Sequence, residues 1–255
     1  MPTLDLSKDI QFAHHLADLA RDVINPYFRG DFSLAQKSDL SPVTQADQET
    51  EKKLRALIEQ HFPDDGIRGE EFGFKPSRNG RTWVLDPIDG TKSFVVGRPT
   101  FGTLIALCHD SRPVLGIIDQ PILKERWVGA HGTPTLFQGQ PVKTTACLNM
   151  ASARCSSTSP LQIPHLWEKL YKKTCMMVWG GDCYSYGLMA NGGIDIVIES
   201  GMKPYDFCAL IPIIQGAGGV MCDWHGQDLT LESEGECLAV SDKALIPEIL
   251  DFLKS

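Results

Sequence analysis

The sequence lacks the features that mark several large classes of protein. Its eight cysteines include no C-x-x-C pair, so neither a zinc ribbon nor a thioredoxin-like redox motif is expected. Basic residues are in the minority, 24 against 32 acidic ones, and the formal net charge of −8 argues against a nucleic-acid-binding surface. The chain has no internal repeat and no low-complexity tract.

Long hydrophobic runs are also missing. The longest apolar stretches have the length of a strand, so no membrane-spanning segment is expected. The amino-terminal residues include an early aspartate and no apolar stretch typical of a signal peptide. Several cysteines lie in apolar runs as free thiols would, which fits a reducing compartment. We therefore expect a cytoplasmic protein with neither membrane nor nucleic acid as a partner.

Helical patterns dominate the first 60 residues of the chain. With 255 residues and 42% hydrophobic content, the chain is at the size where one core begins to divide in two. Apolar residues at three- and four-residue spacing predict a helix from Ile10 to Ile24, ended by Pro26. A polar loop with residues 37–39, 41 and 42 follows. Thr44 and Asp47 have the spacing of a capping box and predict the start of a second helix.

Strand patterns follow, and then strands alternate with helices. Strands are predicted at 82–85, 102–108, 114–118 and 126–130, with a hairpin turn at 110–113. In the second half, strands are predicted at 176–179, 194–198 and 220–223, and helices at 184–190, 207–215 and from 243 onward. This alternation predicts an α/β fold. The boundary between a region 1–140 and a region 141–255 is placed in the loop at 138–141.

Five acidic residues are the candidates for chemistry: Glu70, Glu71, Asp86, Asp89 and Asp206. The predicted strand 82–85 leads directly into Asp86, and Pro87 cannot donate to a strand ladder. Asp86 and Asp89 therefore lie on a kinked segment and can converge on one point. Unpaired carboxylates there would repel one another and raise each other's pKa. Hard cations with oxygen ligands would relieve that repulsion.

Taken singly, each of these residues has a simpler interpretation. Asp206 precedes a predicted helix and could serve only as its cap, and an isolated Glu or Asp is most often solvated. The set as a whole, in this order along the chain, favours a shared site.

Three motifs and an upstream element resemble the inositol monophosphatase family. The motifs are Gly69-Glu70-Glu71, then Asp86-Pro-Ile-Asp89-Gly-Thr91, then Pro204-Tyr-Asp206 with Gly216-Ala-Gly-Gly219, and the upstream element is Val43-Thr44-x-x-Asp47. The resemblance spans about residues 37–223. It implies a layered α/β/α/β/α sandwich, a magnesium-dependent phosphatase and a homodimer.

The resemblance also implies roles for individual residues. Two or three Mg²⁺ ions would be bound by Glu70, Asp86, the carbonyl of Ile88, Asp89 and Asp206. Thr91, paired with Asp47, would help to activate the attacking water, with Glu71 close to it. The backbone N–H groups of Gly90 and Thr91 would hold the phosphate. These roles agree with phosphoryl transfer, which depends mainly on an aligned water and on neutralised oxygens.

The substrate is predicted from the second half of the chain. Gly-Gly-Asp182-Cys-Tyr184 and Glu199-Ser-Gly-Met-Lys-Pro-Tyr-Asp206 resemble the histidinol-phosphate phosphatase branch of the family. Asp182 and Glu199 would pair with the ammonium and imidazole of that small phosphorylated metabolite. On local grounds Asp182 could equally be the N-cap of the next helix, and Tyr184 and Tyr186 could line the pocket or the core.

Other functions remain open at this point. The nearest rival is an inositol-phosphate or sugar-phosphate phosphatase with the same metal chemistry, and a nucleotide phosphatase is also possible. Fructose-1,6-bisphosphatase activity would need a second phosphate site rich in basic residues, and no such cluster is evident. A catalytically silent binding protein is a different class, against which the intact carboxylate set argues.

Overall fold

The chain folds into alternating layers of helix and sheet. The structure, a computed structural model, describes residues 5–36, 42–233 and 235–254. Of the polar loop predicted between the first two helices, residues 37–39 and 41 lie outside the described residues. The helices are α1 (Ser7–Ile24), α2 (Gln45–His61), α3 (Thr91–Val95), α4 (Trp167–Lys173), α5 (Asp182–Ala190), α6 (Pro204–Phe207), α7 (Leu210–Gly216) and α8 (Ile246–Leu253).

Most strands belong to one of two large sheets. The strands are β1 (Leu34–Gln36), β2 (Pro42–Thr44), β3 (Gly66–Gly69), β4 (Gly73–Lys75), β5 (Arg81–Asp89), β6 (Gly102–His109), β7 (Arg112–Gln120), β8 (Glu125–Ala130), β9 (Leu136–Phe137), β10 (Gln140–Pro141), β11 (Arg154–Ser157), β12 (Met176–Trp179), β13 (Ile196–Met202), β14 (Val220–Cys222) and β15 (Gly235–Val240). Within the described ranges, the first sheet has the order β10-β9-β8-β7-β6-β5-β3-β4 and the second has the order β12-β11-β13-β15-β14. A separate antiparallel pair joins β1 and β2.

Within the described residues, three hydrophobic cores hold the layers together. The first packs α1 and α2, through residues such as Leu16 and Leu54, against one face of the first sheet. The second fills the space between the sheets with α5 and α7, where Tyr186 and Ile213 are fully buried. The third packs α4 and α8 against the outer face of the second sheet. The predicted α/β/α/β/α sandwich is therefore confirmed.

Local sequence motifs correctly predicted two of the boundaries between elements. Thr44 is the N-cap of α2, and its capping box with Asp47 is formed as predicted. The predicted hairpin turn is a two-residue turn between β6 and β7, with φ of 48° at Asp110 and 62° at Ser111. Positive φ at both positions is what a type I′ hairpin requires.

Elsewhere the elements differ from their predicted bounds. Strand β5 is longer than the predicted strand 82–85: it runs from Arg81 to Asp89, with a register shift against β6 between Asp86 and Asp89. Pro87 is tolerated because it lies in that shift, where its carbonyl accepts a hydrogen bond from Thr103 Oγ1 at 2.8 Å. The predicted helix 207–215 is divided into α6 and α7. Strands β11 and β15 were not predicted.

The predicted boundary near residue 140 falls where the first sheet ends, at β10. The second sheet begins at Arg154 in β11. Side chains from both halves fill the core between the sheets. The division into regions 1–140 and 141–255 stays a prediction. In the ranges that the structure describes, no helix combines the length and the apolar character needed to cross a bilayer.

A buried ion-pair network fixes α1 against the first sheet. Asp119 on β7 is fully buried and accepts hydrogen bonds from Arg21 of α1, at 2.6 Å to Nη2, and from Arg126 of β8, at 2.6 Å to Nε. Arg126 also pairs with Asp18, whose side chain is 63% exposed. The buried carboxylate therefore holds two partly buried guanidinium groups, and of these Arg126 has a second carboxylate partner in the exposed Asp18.

We expect Asp119→Ala to lower the free energy of unfolding by about 3–5 kcal/mol, because it removes the buried partner of Arg21 and leaves Arg126 with only the exposed Asp18. The matched control is Asp18→Ala, which removes an exposed carboxylate from the same network and should cost less than about 1 kcal/mol. Urea denaturation of both variants at pH 7 measures the difference. Similar losses in the two variants would contradict the assignment of Asp119 as the centre of the network.

Candidate metal centre and substrate hollow

The end of β5 carries the first two carboxylates of the site. The side chain of Asp86 contacts the backbone of its own strand, where its Oδ1 accepts a hydrogen bond from the N–H of Ile88 at 3.0 Å. Asp89, three residues later, accepts a hydrogen bond on Oδ2 from the N–H of Cys183 at 2.5 Å. The register shift between the two residues lets both side chains leave the strand toward the same space.

Asp206 reaches the same place from the second half of the chain. Asp86, Asp89 and Asp206 each offer one carboxylate oxygen, and these oxygens lie within 4.8 Å of one another. Asp206 lies in the first turn of α6, where its Oδ2 accepts a hydrogen bond from the N–H of Lys203 at 2.7 Å. Asp206 therefore stabilises the start of α6 from its third position and does not precede the helix as predicted, and the same side chain also joins the cluster.

The electrostatics of the cluster fit a bound cation. Burial, together with the charges of Glu70, Asp89 and Asp206, raises the pKa of Asp86 well above its usual value. Burial and the charges of Asp182 and Asp206 raise the pKa of Asp89 in the same way. The donor set consists of carboxylate oxygens, which are the ligands that Mg²⁺ prefers. The residues therefore fit a hard divalent cation.

Glu70 and Glu71 follow the neighbouring strand. Strand β3 runs parallel to β5, with Gly69 opposite Leu85, and the N–H of Glu70 donates to the Leu85 carbonyl at 3.2 Å. Glu70 therefore leaves its strand beside the residue that precedes Asp86. Its charge contributes to the raised pKa of Asp86, whereas the oxygens that lie within 4.8 Å of one another are those of Asp86, Asp89 and Asp206.

Asp47 lies on the helix side of the site, fully buried in the first turn of α2. Its Oδ2 accepts hydrogen bonds from Thr44 N at 2.8 Å and Oγ1 at 2.5 Å, whereas its buried Oδ1 has no hydrogen-bond partner among the described residues. Burial raises the pKa of Asp47 to about 7; the bonds from Thr44 oppose the shift and the charges of Glu71 and Glu70 add to it. The hydroxyl of Thr91 donates to the carbonyl of Ile88 at 3.2 Å and makes no hydrogen bond to Asp47. The role of the pair stays a prediction.

Gly90 and Asp182 meet at the edge of the cluster. Gly90 has φ of 86°, and a Cβ at this position would lie 2.7 Å from Asp182 Oδ2, so only glycine allows both the turn and the contact. Asp182 itself has φ of 45°. Its carboxylate accepts a hydrogen bond from Ser93 Oγ at 2.8 Å and makes no capping bond to α5. The alternative prediction that Asp182 is the N-cap was therefore wrong, because the left-handed backbone turns its side chain toward α3.

A hollow of about 130 Å³ opens beside the cluster. Its lining includes Asp89, Asp182, Glu199 and Asp206. Glu199 is buried at the level of the second sheet, where its Oε1 accepts from Thr158 N and Oγ1 and its Oε2 accepts from Tyr186. Burial raises the pKa of Glu199 to about 7, although these hydrogen bonds oppose the shift. The structure thus places both predicted substrate residues in one hollow with two of the predicted metal ligands.

Sequence reasoning missed several residues of this hollow. Thr158 and Gln162, from the segment after β11, line it, and the buried Oε1 of Gln162 has no hydrogen-bond partner among the described residues. They lie in an irregular segment without a motif, so no local signal identified them. The sequence did not decide whether Tyr184 and Tyr186 line the pocket or the core. Tyr186 lines the hollow, whereas the hydroxyl of Tyr184 donates a hydrogen bond to Glu125 at 2.6 Å.

Known proteins resemble this chain in both sequence and fold. The sequence profile described as "Inositol monophosphatase family" matches residues 5–253. The chloroplastic bifunctional phosphatase IMPL2 of Arabidopsis thaliana is 45% identical over 243 residues, which cover 93% of this chain and 70% of that protein. A histidinol-phosphatase of Chlorobaculum parvum is 36% identical over 236 residues, covering 90% of this chain and 91% of that protein. The structure of an inositol monophosphatase from Zymomonas mobilis has a TM-score of 0.91 and 46% identity, covering 99% of this chain and 100% of that one.

The raised pKa values predict how stability depends on pH when no metal is added. The pKa of Asp47 is about 7 in the folded state and about 4 in an unfolded chain. The folded state therefore holds a proton that the unfolded state releases, so stability falls as pH rises from about 4 to about 7. The loss is about 1.4 kcal/mol for each unit by which the pKa is raised.

Asp47→Asn should remove this contribution. In urea denaturation with EDTA, we expect the wild type to lose stability relative to Asp47→Asn as the pH rises from 4 to 7. Parallel stability profiles for the two proteins over this range would refute the buried, proton-binding state of Asp47.

Proposed function

The chain belongs to the inositol monophosphatase family and is a phosphoric monoester hydrolase, and we propose that its substrate is L-histidinol phosphate. The reaction would be the hydrolysis of that ester to L-histidinol and phosphate, a step of histidine biosynthesis. The observation that carries the proposal is the chemistry of the hollow beside the carboxylate cluster.

Hydrogen-bond acceptors dominate the described lining of the hollow. Asp182 and Glu199 are negatively charged when ionised, and the buried Oε1 of Gln162 is an acceptor. The hydroxyl groups of Thr158 and Tyr186 already donate their hydrogen bonds to Glu199. A leaving group with an ammonium and an imidazole supplies the donors and the positive charge that these groups require. A neutral polyol would not compensate the desolvation of two carboxylates.

The named relatives support both this substrate and one alternative. The relative in Chlorobaculum parvum is named a histidinol-phosphatase, and the Arabidopsis relative is named bifunctional. The similar structure from Zymomonas mobilis, which covers 99% of this chain, is that of an inositol monophosphatase. Inositol 1-phosphate is therefore the second candidate substrate, with the same chemistry at the phosphate.

The proposed cofactor is Mg²⁺, as two or three ions. The chain would hold it with Glu70, Asp86, Asp89, Asp206 and the carbonyl of Ile88. When bound, Mg²⁺ would neutralise the phosphate oxygens and the leaving oxygen and would acidify the attacking water.

The chain's own groups would orient the reactants. The N–H groups of Gly90 and Thr91, at the start of α3, have no acceptor within that helix and would hold the phosphate oxygens. The hydroxyl of Thr91 would accept a hydrogen bond from the attacking water. The unpartnered Oδ1 of Asp47 would accept the hydrogen bond of that hydroxyl, with Glu71 beside it. This arrangement requires the Thr91 hydroxyl to turn from the Ile88 carbonyl toward Asp47.

We also propose a homodimer in the cytoplasm. The family resemblance is the first ground for the dimer. Strand β12 lies at an edge of the second sheet and exposes Met176, Val178 and Trp179, which supports a surface that a second copy would cover. The eight cysteines all lie in the described residues and are free thiols, which supports a reducing compartment.

The substrate is tested by comparing kcat/KM for L-histidinol phosphate, inositol 1-phosphate and AMP at saturating Mg²⁺. We expect histidinol phosphate to be preferred by at least about tenfold, because one charge-assisted hydrogen bond contributes roughly 1.5–3 kcal/mol. The control is each reaction with excess EDTA, which should abolish hydrolysis. A preference for inositol 1-phosphate would establish the alternative, and activity that survives EDTA would refute the metal mechanism.

Asp182→Asn tests the recognition of the cationic leaving group. The amide oxygen can still accept from Ser93, but the charge is lost, so kcat/KM for histidinol phosphate should fall about tenfold or more. Hydrolysis of β-glycerophosphate, which carries no cation, should change less than threefold. Ser93→Ala is the control that removes the bond and keeps the charge. Equal losses on both esters would remove Asp182 from the substrate-binding residues.

A further inference from the structure

Glu51 is a buried carboxylate on α2 that the proposed mechanism does not use. It is fully buried, one helical turn after Asp47 and one turn before Arg55. Its Oε1 accepts from Arg55 Nε at 2.7 Å, so its charge is compensated. The same guanidinium donates to the carbonyl of Gly73. Helix α2 therefore presents Asp47, Glu51 and Arg55 in a row to the loop between β3 and β4.

The carboxylate of Glu51 binds the backbone of the loop that carries two proposed site residues. Its Oε2 accepts from the N–H of Glu71 at 2.7 Å, and its Oε1 accepts from the N–H of Phe72 at 3.1 Å. On the other side of the loop, the N–H of Glu70 donates to the Leu85 carbonyl at 3.2 Å. The loop is thus fixed between α2 and β5, with Glu70 and Glu71 at the two points of attachment.

The contact is close enough to demand glycine at the end of β3. A Cβ at Gly69 would lie 2.0 Å from Glu51 Oε1, so the carboxylate occupies the space of the missing side chain. Gly69 has no left-handed backbone conformation that would otherwise require glycine. Its presence is explained by the approach of Glu51.

Stability alone is a poor explanation for a charge at this position. A buried ion pair is often no better than a well-packed apolar pair of the same size, because both charges lose their hydration. Glu51 also adds a negative charge beside a site that already holds several. A carboxylate at this position accepts hydrogen bonds from two successive backbone N–H groups and a third from Arg55. An apolar side chain could accept none of them.

We propose that Glu51 is a positioning residue that fixes the direction in which Glu70 and Glu71 approach the carboxylate cluster and so sets its affinity for Mg²⁺. This inference rests on the proposed metal-dependent function and does not depend on which ester is the substrate. Residues that orient metal ligands through one further contact typically change metal affinity by about 10–100-fold when altered.

The experiment is isothermal titration of Mg²⁺ into the purified full chain without substrate. We expect Glu51→Gln to weaken Mg²⁺ binding about 10–100-fold, because its single acceptor oxygen cannot serve Glu71, Phe72 and Arg55 together. Glu51→Asp keeps the charge, but its side chain is one methylene shorter and cannot make the same hydrogen bonds. It should weaken Mg²⁺ binding to a similar degree. The matched control is Glu59→Gln, which removes the same charge from an exposed position of α2 and should leave the affinity unchanged.

The two Glu51 variants separate positioning from other roles. If Glu51→Asp binds Mg²⁺ like the wild type, or if a folded Glu51→Gln stays within twofold of it, the proposal is overturned. If neither variant gives the wild-type circular dichroism spectrum, Glu51 serves folding and the proposal is also overturned. A wild type that binds Mg²⁺ but prefers another ester would refute the proposed substrate and leave this inference standing. A wild type that binds no Mg²⁺ would refute the proposed metal mechanism and this inference together.

Discussion

The repulsion among the carboxylates at the end of β5 is the constraint on which the rest of the site depends. Asp86, Asp89 and Asp206 place oxygens within 4.8 Å of one another, and burial raises the cost of each charge. Left to themselves, these side chains would separate. They stay together because β5 and α6 belong to layers joined by the core between the two sheets. The energy of that core therefore holds the cluster in a state that a divalent cation would stabilise.

The molecule uses two different ways to accommodate a buried carboxylate. Asp119, Asp195 and Glu51 each pair with a guanidinium, which cancels the charge. In contrast, Asp47, Asp86, Asp89 and Glu199 have no salt bridge among the described residues, and each accepts a hydrogen bond from a backbone N–H. A backbone amide orients an oxygen without cancelling its charge. The second group has no guanidinium to neutralise it, so it takes up a proton or a ligand cation instead. This distinction separates the site from the structural ion pairs more clearly than burial does.

Sequence patterns predicted the structural features that neighbouring residues determine. They missed the features that depend on contacts between residues far apart in the chain. The capping box of Thr44 and Asp47 and the hairpin turn at Asp110 and Ser111 are local, and both are as expected. The strand that crosses Pro87 was predicted too short, because a register shift depends on the partner strand β6. Glu51 and Arg55 have the spacing of an ordinary exposed helical pair. Only the fold brings Gly69 against them, so no sequence pattern could distinguish this pair from a solvated one.

The two halves of the site are linked by charge, and this link bears on the choice of substrate. Asp182 lies in the hollow, yet its charge is among the causes that raise the pKa of Asp89 at the cluster. It acts in the same way on Glu199 across the hollow. A neutral leaving group would leave both repulsions in place after binding. A cationic leaving group between Asp182 and Glu199 would relieve both at once, so ester and metal would stabilise each other's binding. Preference for a cation would then follow from the same repulsion that creates the metal centre.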